Sequence, residues 1–174
     1  MSDAKYYKPK AQPGDVLYIV DNKKYYLVEE VEALGTYIKD FGALANGNTL
    51  EYQELDALYP PKGWIAEFRI LPVDDIRVKI RIAREAVRGA MEKVTYYIDK
   101  WIADNIWYHT LAEVWCLHDM KFYIDITNAS GTDLTTTRIR IVGWAYKVRE
   151  IAPHEAEGKR IVRVRVYPMM VGER

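Results

Sequence analysis

Arg138-Ile139-Arg140-Ile141-Val142-Gly143-Trp144-Ala145-Tyr146-Lys147-Val148-Arg149-Glu150-Ile151 is the stretch on which the fold turns. Its first four residues alternate a guanidinium with an isoleucine. A period of two puts the aliphatic side chains on one face of a strand and the cations on the other. The apolar phase then slips to Val142, Trp144, Tyr146 and Val148, which predicts a long strand with a bulge near Gly143. The same alternation recurs in Arg77-Val78-Lys79-Ile80-Arg81 and in Arg163-Val164-Arg165-Val166. If these strands lie near one another, an apolar layer is backed by a wall of positive charge.

Further strands flank this stretch. Phe122, Ile124 and Ile126 alternate with Tyr123, Asp125 and Thr127, before the turn-rich loop Asn128-Ala129-Ser130-Gly131-Thr132-Asp133. Ile161 to Tyr167 reads as a final strand after a loop from Pro153 to Lys159. Near the start, Val16-Leu17-Tyr18-Ile19-Val20 and Tyr25-Tyr26-Leu27-Val28 form a hairpin pattern around Asp21-Asn22. Trp64 to Leu71 is a strand on which Trp64, Ala66, Phe68 and Ile70 alternate.

Residues 76–118 read differently. Ile76, Val78, Ile80 and Ile82 alternate as a strand does, and their β-branched character favours a strand to about Ile82. The series Ile76, Ile80, Ala83, Val87, Ala90, Val94, Ile98, Trp101 equally follows helical spacing, with Asp74 or Asp75 as an N-cap. From Ala83 to about His118 the pattern predicts helix, in two pieces. The expected fold is therefore mainly β (α+β): an antiparallel β-sandwich or barrel with a helical insertion around residues 83–118. The expected organisation is a polar N-terminal arm over residues 1–14 and one β-rich domain over 15–174.

Composition narrows the function. At 174 residues, 49% hydrophobic and 29% charged, the chain is globular rather than disordered. Twenty-five basic residues balance 25 acidic ones, so overall charge does not point to nucleic acid. One cysteine, Cys116, excludes an internal disulfide framework. No signal-peptide pattern and no long apolar run is present, which gives the cytoplasm, or a particle assembled there, as the expected location. The only glutamines are Gln12 and Gln53 and the only serines Ser2 and Ser130; scarce amides beside many charged residues point to a thermophilic source. Fourteen tyrosines and five tryptophans suit interfaces as well as cores.

Catalytic patterns are missing. Neither serine sits in a nucleophile elbow, Cys116 and His118 diverge by about 200° on a helix, and no glycine-rich phosphate loop occurs. On a helix His109, Glu113, Cys116 and Met120 would share one face, and all are metal-ligand types. They would span about 16 Å, too far for one ion, so any site would be His109 with Glu113, completed from elsewhere. An ordinary helical pair, with Cys116 and Met120 packed in a core, explains the spacing as well. The basic strands supply the remaining candidates: Arg138, Arg140, Arg163 and Arg165, with Tyr146 and Tyr167 as stacking partners. They fit a solvated sheet face, a subunit interface meeting carboxylates of another copy, or a phosphate grip.

The favoured expectation is a non-enzymatic structural or assembly protein, a self-associating subunit repeated in a larger particle, such as a virion capsid, tail or connector component. It needs no cofactor. One alternative is a nucleic-acid-binding β domain using the arginine faces. The other is a metal-binding or redox protein centred on His109, Glu113 and Cys116.

Overall fold

Residues 138–151 form one continuous strand with a strand on each side. The computed structural model describes residues 8–20, 22–54, 60–84, 95–96, 102–103, 112–117 and 120–164. Its strands, in chain order, are β1 (Val16–Ile19), β2 (Lys24–Asp40), β3 (Thr49–Glu54), β4 (Trp64–Pro72), β5 (Ile76–Arg84), β6 (Thr95–Tyr96), β7 (Ile102–Ala103), β8 (Ala112–Cys116), β9 (Met120–Asn128), β10 (Arg138–Ile151) and β11 (Ile161–Val164). One 3-10 turn, Pro153–Ala156, lies between the last two. The first sheet has the order β11-β1-β2-β10-β4-β8; the second is β3-β9-β5-β6, with β7 also on β5. Neither sheet closes on itself, so the barrel alternative gives way to two open sheets. All pairings are antiparallel except β1 with β11.

Register explains the apolar slip along β10. Ile139 and Ile141 lie beside Pro72 and Ile70, on the face that also carries Phe68 opposite Gly143. Val142, Trp144 and Tyr146 lie on the other face, beside Arg69, Glu67 and Ile65. Both rows are buried. The slip thus marks a strand covered on both faces, with no extra residue in β10. The two register shifts against β2, after Gly143 and after Lys147, instead leave Leu34 and Glu29 of β2 without partners on β10. Gly143 has its own reason: Phe68 crowds the space that a side chain would fill.

The second sheet supplies the facing layer. Ile76 and Val78 of β5 pair with Asn128 and Ile126 of β9, and these buried aliphatics join Ile124, Phe68, Ile70, Ile139 and Ile141 in one core. Asn128 is fully buried and donates to the carbonyls of Leu44 and Thr132 at 2.8 Å each. Its glycosylation-like triplet is therefore turn chemistry, with Ser130 Oγ donating to Asn128 Oδ1 at 2.7 Å. Between β1 and β2 Lys23 lies in the left-handed region at φ 60° and the Lys24 amide donates to Asn22 Oδ1 at 3.0 Å, while Asp21 of the expected turn lies outside the described residues.

The helical insertion is corrected. Residues 76–84 are strand throughout, paired from Ile76↔Asn128 to Arg84↔Met120, and residues 112–116 pair with β4. Residues 95–96 and 102–103 pair with β5. The other positions between 85 and 111 lie outside the described residues. The physical reason is partnership. β9 presents a second period-two apolar row, and β5 pairs with its backbone groups while extending that row sideways, which a helix could not do. Among the described residues no helix is long and apolar enough to cross a membrane.

Candidate functional site

The three basic stretches do not gather. Arg138 and Arg140 face Asp40 and Ile38 at one end of the β2–β10 pair. Arg163 sits on β11 in the row Arg163–Tyr18–Tyr25–Ile151, at the other end. Between Arg140 and Ile151 the chain runs about 36 Å at strand spacing. Arg77 and Lys79 belong to the second sheet, where Lys79 lies across from the buried Asp125. Arg165 and Tyr167 lie outside the described residues. A single cationic wall is thus replaced by separate sites.

Among these cations Arg138 meets a carboxylate of its own chain. The Arg138 guanidinium donates to Asp74 Oδ1 at 2.7 Å and Oδ2 at 3.1 Å, and the Arg138 amide and Thr136 hydroxyl also donate to Oδ2, at 2.8 and 3.0 Å. These donors, Arg138 foremost, hold the Asp74 carboxyl below its ordinary value despite partial burial. Across β2 and β10 run three further pairs: Lys147–Glu30 at 3.4 Å, Arg149–Glu29 at 3.3 Å and Lys24–Glu150 at 3.7 Å. Such exposed pairs each add little to stability. Arg163 instead lies over the Tyr18 ring, 5.2 Å from its centroid.

Asp74 yields a pH prediction. Its folded pKa is depressed below the reference 3.8, so its contribution is present above that value and lost as pH falls through the folded value. Asp74→Ala should destabilise the protein at pH 7 by on the order of 1 kcal/mol, through acceptors lost to Arg138 and Thr136. Urea unfolding at pH 7 and at pH 3 checks this; the gap between wild type and variant should narrow in acid.

Tyr146 is no surface stacking residue. It is fully buried, and its hydroxyl donates to Glu67 Oε1 at 2.5 Å while accepting the Lys10 and Ala11 amides at 3.1 and 3.4 Å. The Lys10 amide also donates to Glu67 Oε1 at 3.1 Å. Glu67 Oε2 pairs with the buried Arg69 guanidinium, which lies 4.8 Å over the Trp144 ring. Trp115 stacks on Tyr146 with ring centroids 5.5 Å apart. Burial pushes the Glu67 carboxyl up against the opposing pull of Arg69, Tyr146 and Lys10. Burial and the Glu67 charge also push the Tyr146 phenol up. The cluster pins residues 10–11, part of the expected arm, onto the sheet. The alternation of Trp64, Ala66, Phe68 and Ile70 leaves Glu67 and Arg69 on the opposite face of their strand, and that face is buried as well. The signal for that burial was Trp144 and Tyr146, apolar at positions that fall beside them.

The proposed metal constellation loses its helical basis. Glu113 and Cys116 lie on β8, three residues or about 10 Å apart along an extended chain, and Met120 begins β9. His109 lies outside the described residues. Cys116 is buried and its thiol donates to the Leu117 carbonyl at 3.4 Å. Among the described residues no three His, Cys, Asp or Glu side chains are grouped to hold an ion.

Among the described residues the accessible features include a groove and open strand edges, of which β2 and β11 carry exposed apolar and charged side chains. The groove, about 440 Å³, is lined by Tyr26, Lys62, Trp64, Ile65, Leu117 and Val148, among others. The longer edge is that of β2. Only Lys24–Leu27 pair with β1, and Val28 is met by Gly14 and Asp15. From Glu29 to Asp40, about 40 Å of strand, the side away from β10 meets no strand among the described residues. Glu32 to Thr36 are exposed along it, as is Ile38; Leu34 is 41% and Ile38 51% exposed. The shorter edge is β11, the margin of the same sheet, with Lys159, Arg160, Ile161 and Arg163 all exposed.

Fold and surface together define a two-sheet, mainly antiparallel β protein whose accessible chemistry lies largely on strand edges. Comparison with protein-family models and with curated proteins finds no match to this chain.

Proposed function

We propose that this chain is a non-enzymatic structural subunit that associates with further copies of itself in a larger assembly, a virion capsid, tail or connector component being one concrete form. The open length of β2 carries this reading. Unpaired backbone donors and acceptors in extended conformation are a template for another strand, and proteins that remain alone cover or blunt such edges. Among the described residues this edge is long, is interrupted by bulges at Glu29 and Leu34 and by Gly35 at φ 84°, and bears exposed Leu34 and Ile38. Support also comes from the charges: Arg138, Lys147 and Arg149 are engaged by carboxylates of the same chain, which leaves fewer cations for a phosphate backbone. Solution mass tests the reading. Sedimentation velocity of the full chain across a concentration series should show species of several subunits, and a strict monomer at the highest concentration would reject it.

A further inference from the structure

We propose that the contact between copies is strand addition of one particular kind: the edge of β11 from one copy pairs with the open edge of β2, Glu29–Asp40, in the next. This rests on the assembly reading above and specifies its geometry. Among the described residues this sheet has a β8 margin as well as the β11 margin and the open part of β2, and the last two raise three pairings: β2 with β2, β11 with β11, or β2 with β11. Charge separates them. The open part of β2 carries Glu29, Glu30 and Glu32 within four positions and one lysine, Lys39, near its far end. The β11 edge carries Lys159, Arg160 and Arg163 and no acid. Pairing β11 with itself in antiparallel register sets Arg160 opposite Arg163, which opposes association; pairing Glu29–Asp40 of β2 with itself sets Glu29 opposite Asp40 and Glu30 opposite Lys39, so attraction and repulsion cancel. Pairing β11 with β2 sets cations along carboxylates.

The apolar side chains fit the same arrangement. Ile161 of β11 is 45% exposed, and it meets in β2 a strand whose Leu34 and Ile38 are also uncovered. Among the described residues Glu32 makes no ion pair, unlike Glu29 and Glu30, so it is the acid most available to an incoming arginine. Arg163 rests on a tyrosine face rather than in a carboxylate pair, so it can turn outward at small cost. A contact between two different edges leaves one of each unused at the ends. It therefore propagates head to tail, closing into a ring or extending as a filament according to the rotation per step. The zero net charge of the chain is what complementary edges on one molecule produce.

The experiment uses the full chain. Glu32→Lys alone and Arg163→Glu alone should each weaken self-association at least about tenfold, while the double variant should recover it; circular dichroism confirms that each is folded. In parallel, Glu32→Cys with Arg163→Cys, treated with a flexible bis-maleimide, should give a ladder of covalent oligomers, Cys116 being buried. Leu34→Cys alone should give no efficient dimer. If the wild type assembles but charge reversal leaves association unchanged, the edge assignment falls and the assembly reading stands. Covalent dimers from Leu34→Cys without a ladder from the cysteine pair would likewise overturn it in favour of a β2–β2 contact. A monomeric wild type removes both.

Discussion

Glu67→Ala should remove about 3–5 kcal/mol of folding stability, the cost of taking one carboxylate away from a buried guanidinium. Arg69 is 3% exposed, so water cannot replace the lost carboxylate. The Tyr146 hydroxyl and the Lys10 amide lose the same acceptor. The loss should appear as a lower urea midpoint with an unchanged slope, and residues 10–11 should become accessible to protease. A compensated variant separates charge from shape. Glu67→Leu, Arg69→Met and Tyr146→Phe together keep the volume and remove the buried polar groups, and such replacements are often neutral or stabilising. Should the triple variant be as unstable as Glu67→Ala, the cost lies in packing and the charge argument is wrong.

Gly143→Ala should cost about 1–3 kcal/mol by overpacking. A methyl group there would sit 2.6 Å from Phe68 Cδ1 and 2.8 Å from Cε1, with the Glu67 carbonyl oxygen at 3.4 Å. Phe68 is fully buried, so its ring has no free direction in which to retreat. The backbone of Gly143 is not in the left-handed region, so the penalty is contact and not torsion. A double-mutant cycle tests that: Phe68→Leu should absorb part of the Gly143→Ala cost, giving a clear favourable coupling. Additive effects would mean that the strain arises elsewhere.

Period-two patterning located strands well wherever one face is buried and the other wet. Ile139 and Val164 are buried as their alternation implied, and β10 runs over the residues read from the pattern. It read Ile76 to about Ile82 as strand, as found, and failed from Ala83 on, because isoleucine and alanine every three to four residues satisfy both periods. What decides between them is a partner strand, β9, forty or so positions away. It had no means to single out Glu67 and Arg69, since a charged pair inside the protein looks, in sequence, like a solvent-facing row. The cationic stretches were legible as strands but not as neighbours. Strand order depends on which edges meet, and nothing local to Arg77, Arg138 or Arg163 encodes that.

The pairing of β1 with β11 has a kinetic consequence. Arg160 reaches Asp15 across 145 positions of sequence, and Val16 to Ile19 gain their outer neighbour only from residues 161–164. During synthesis the early hairpin must wait with that flank unsatisfied until nearly the whole stretch has left the ribosome. Contacts of such separation slow folding, so the nascent chain should depend on holding chaperones for longer than its size alone would suggest.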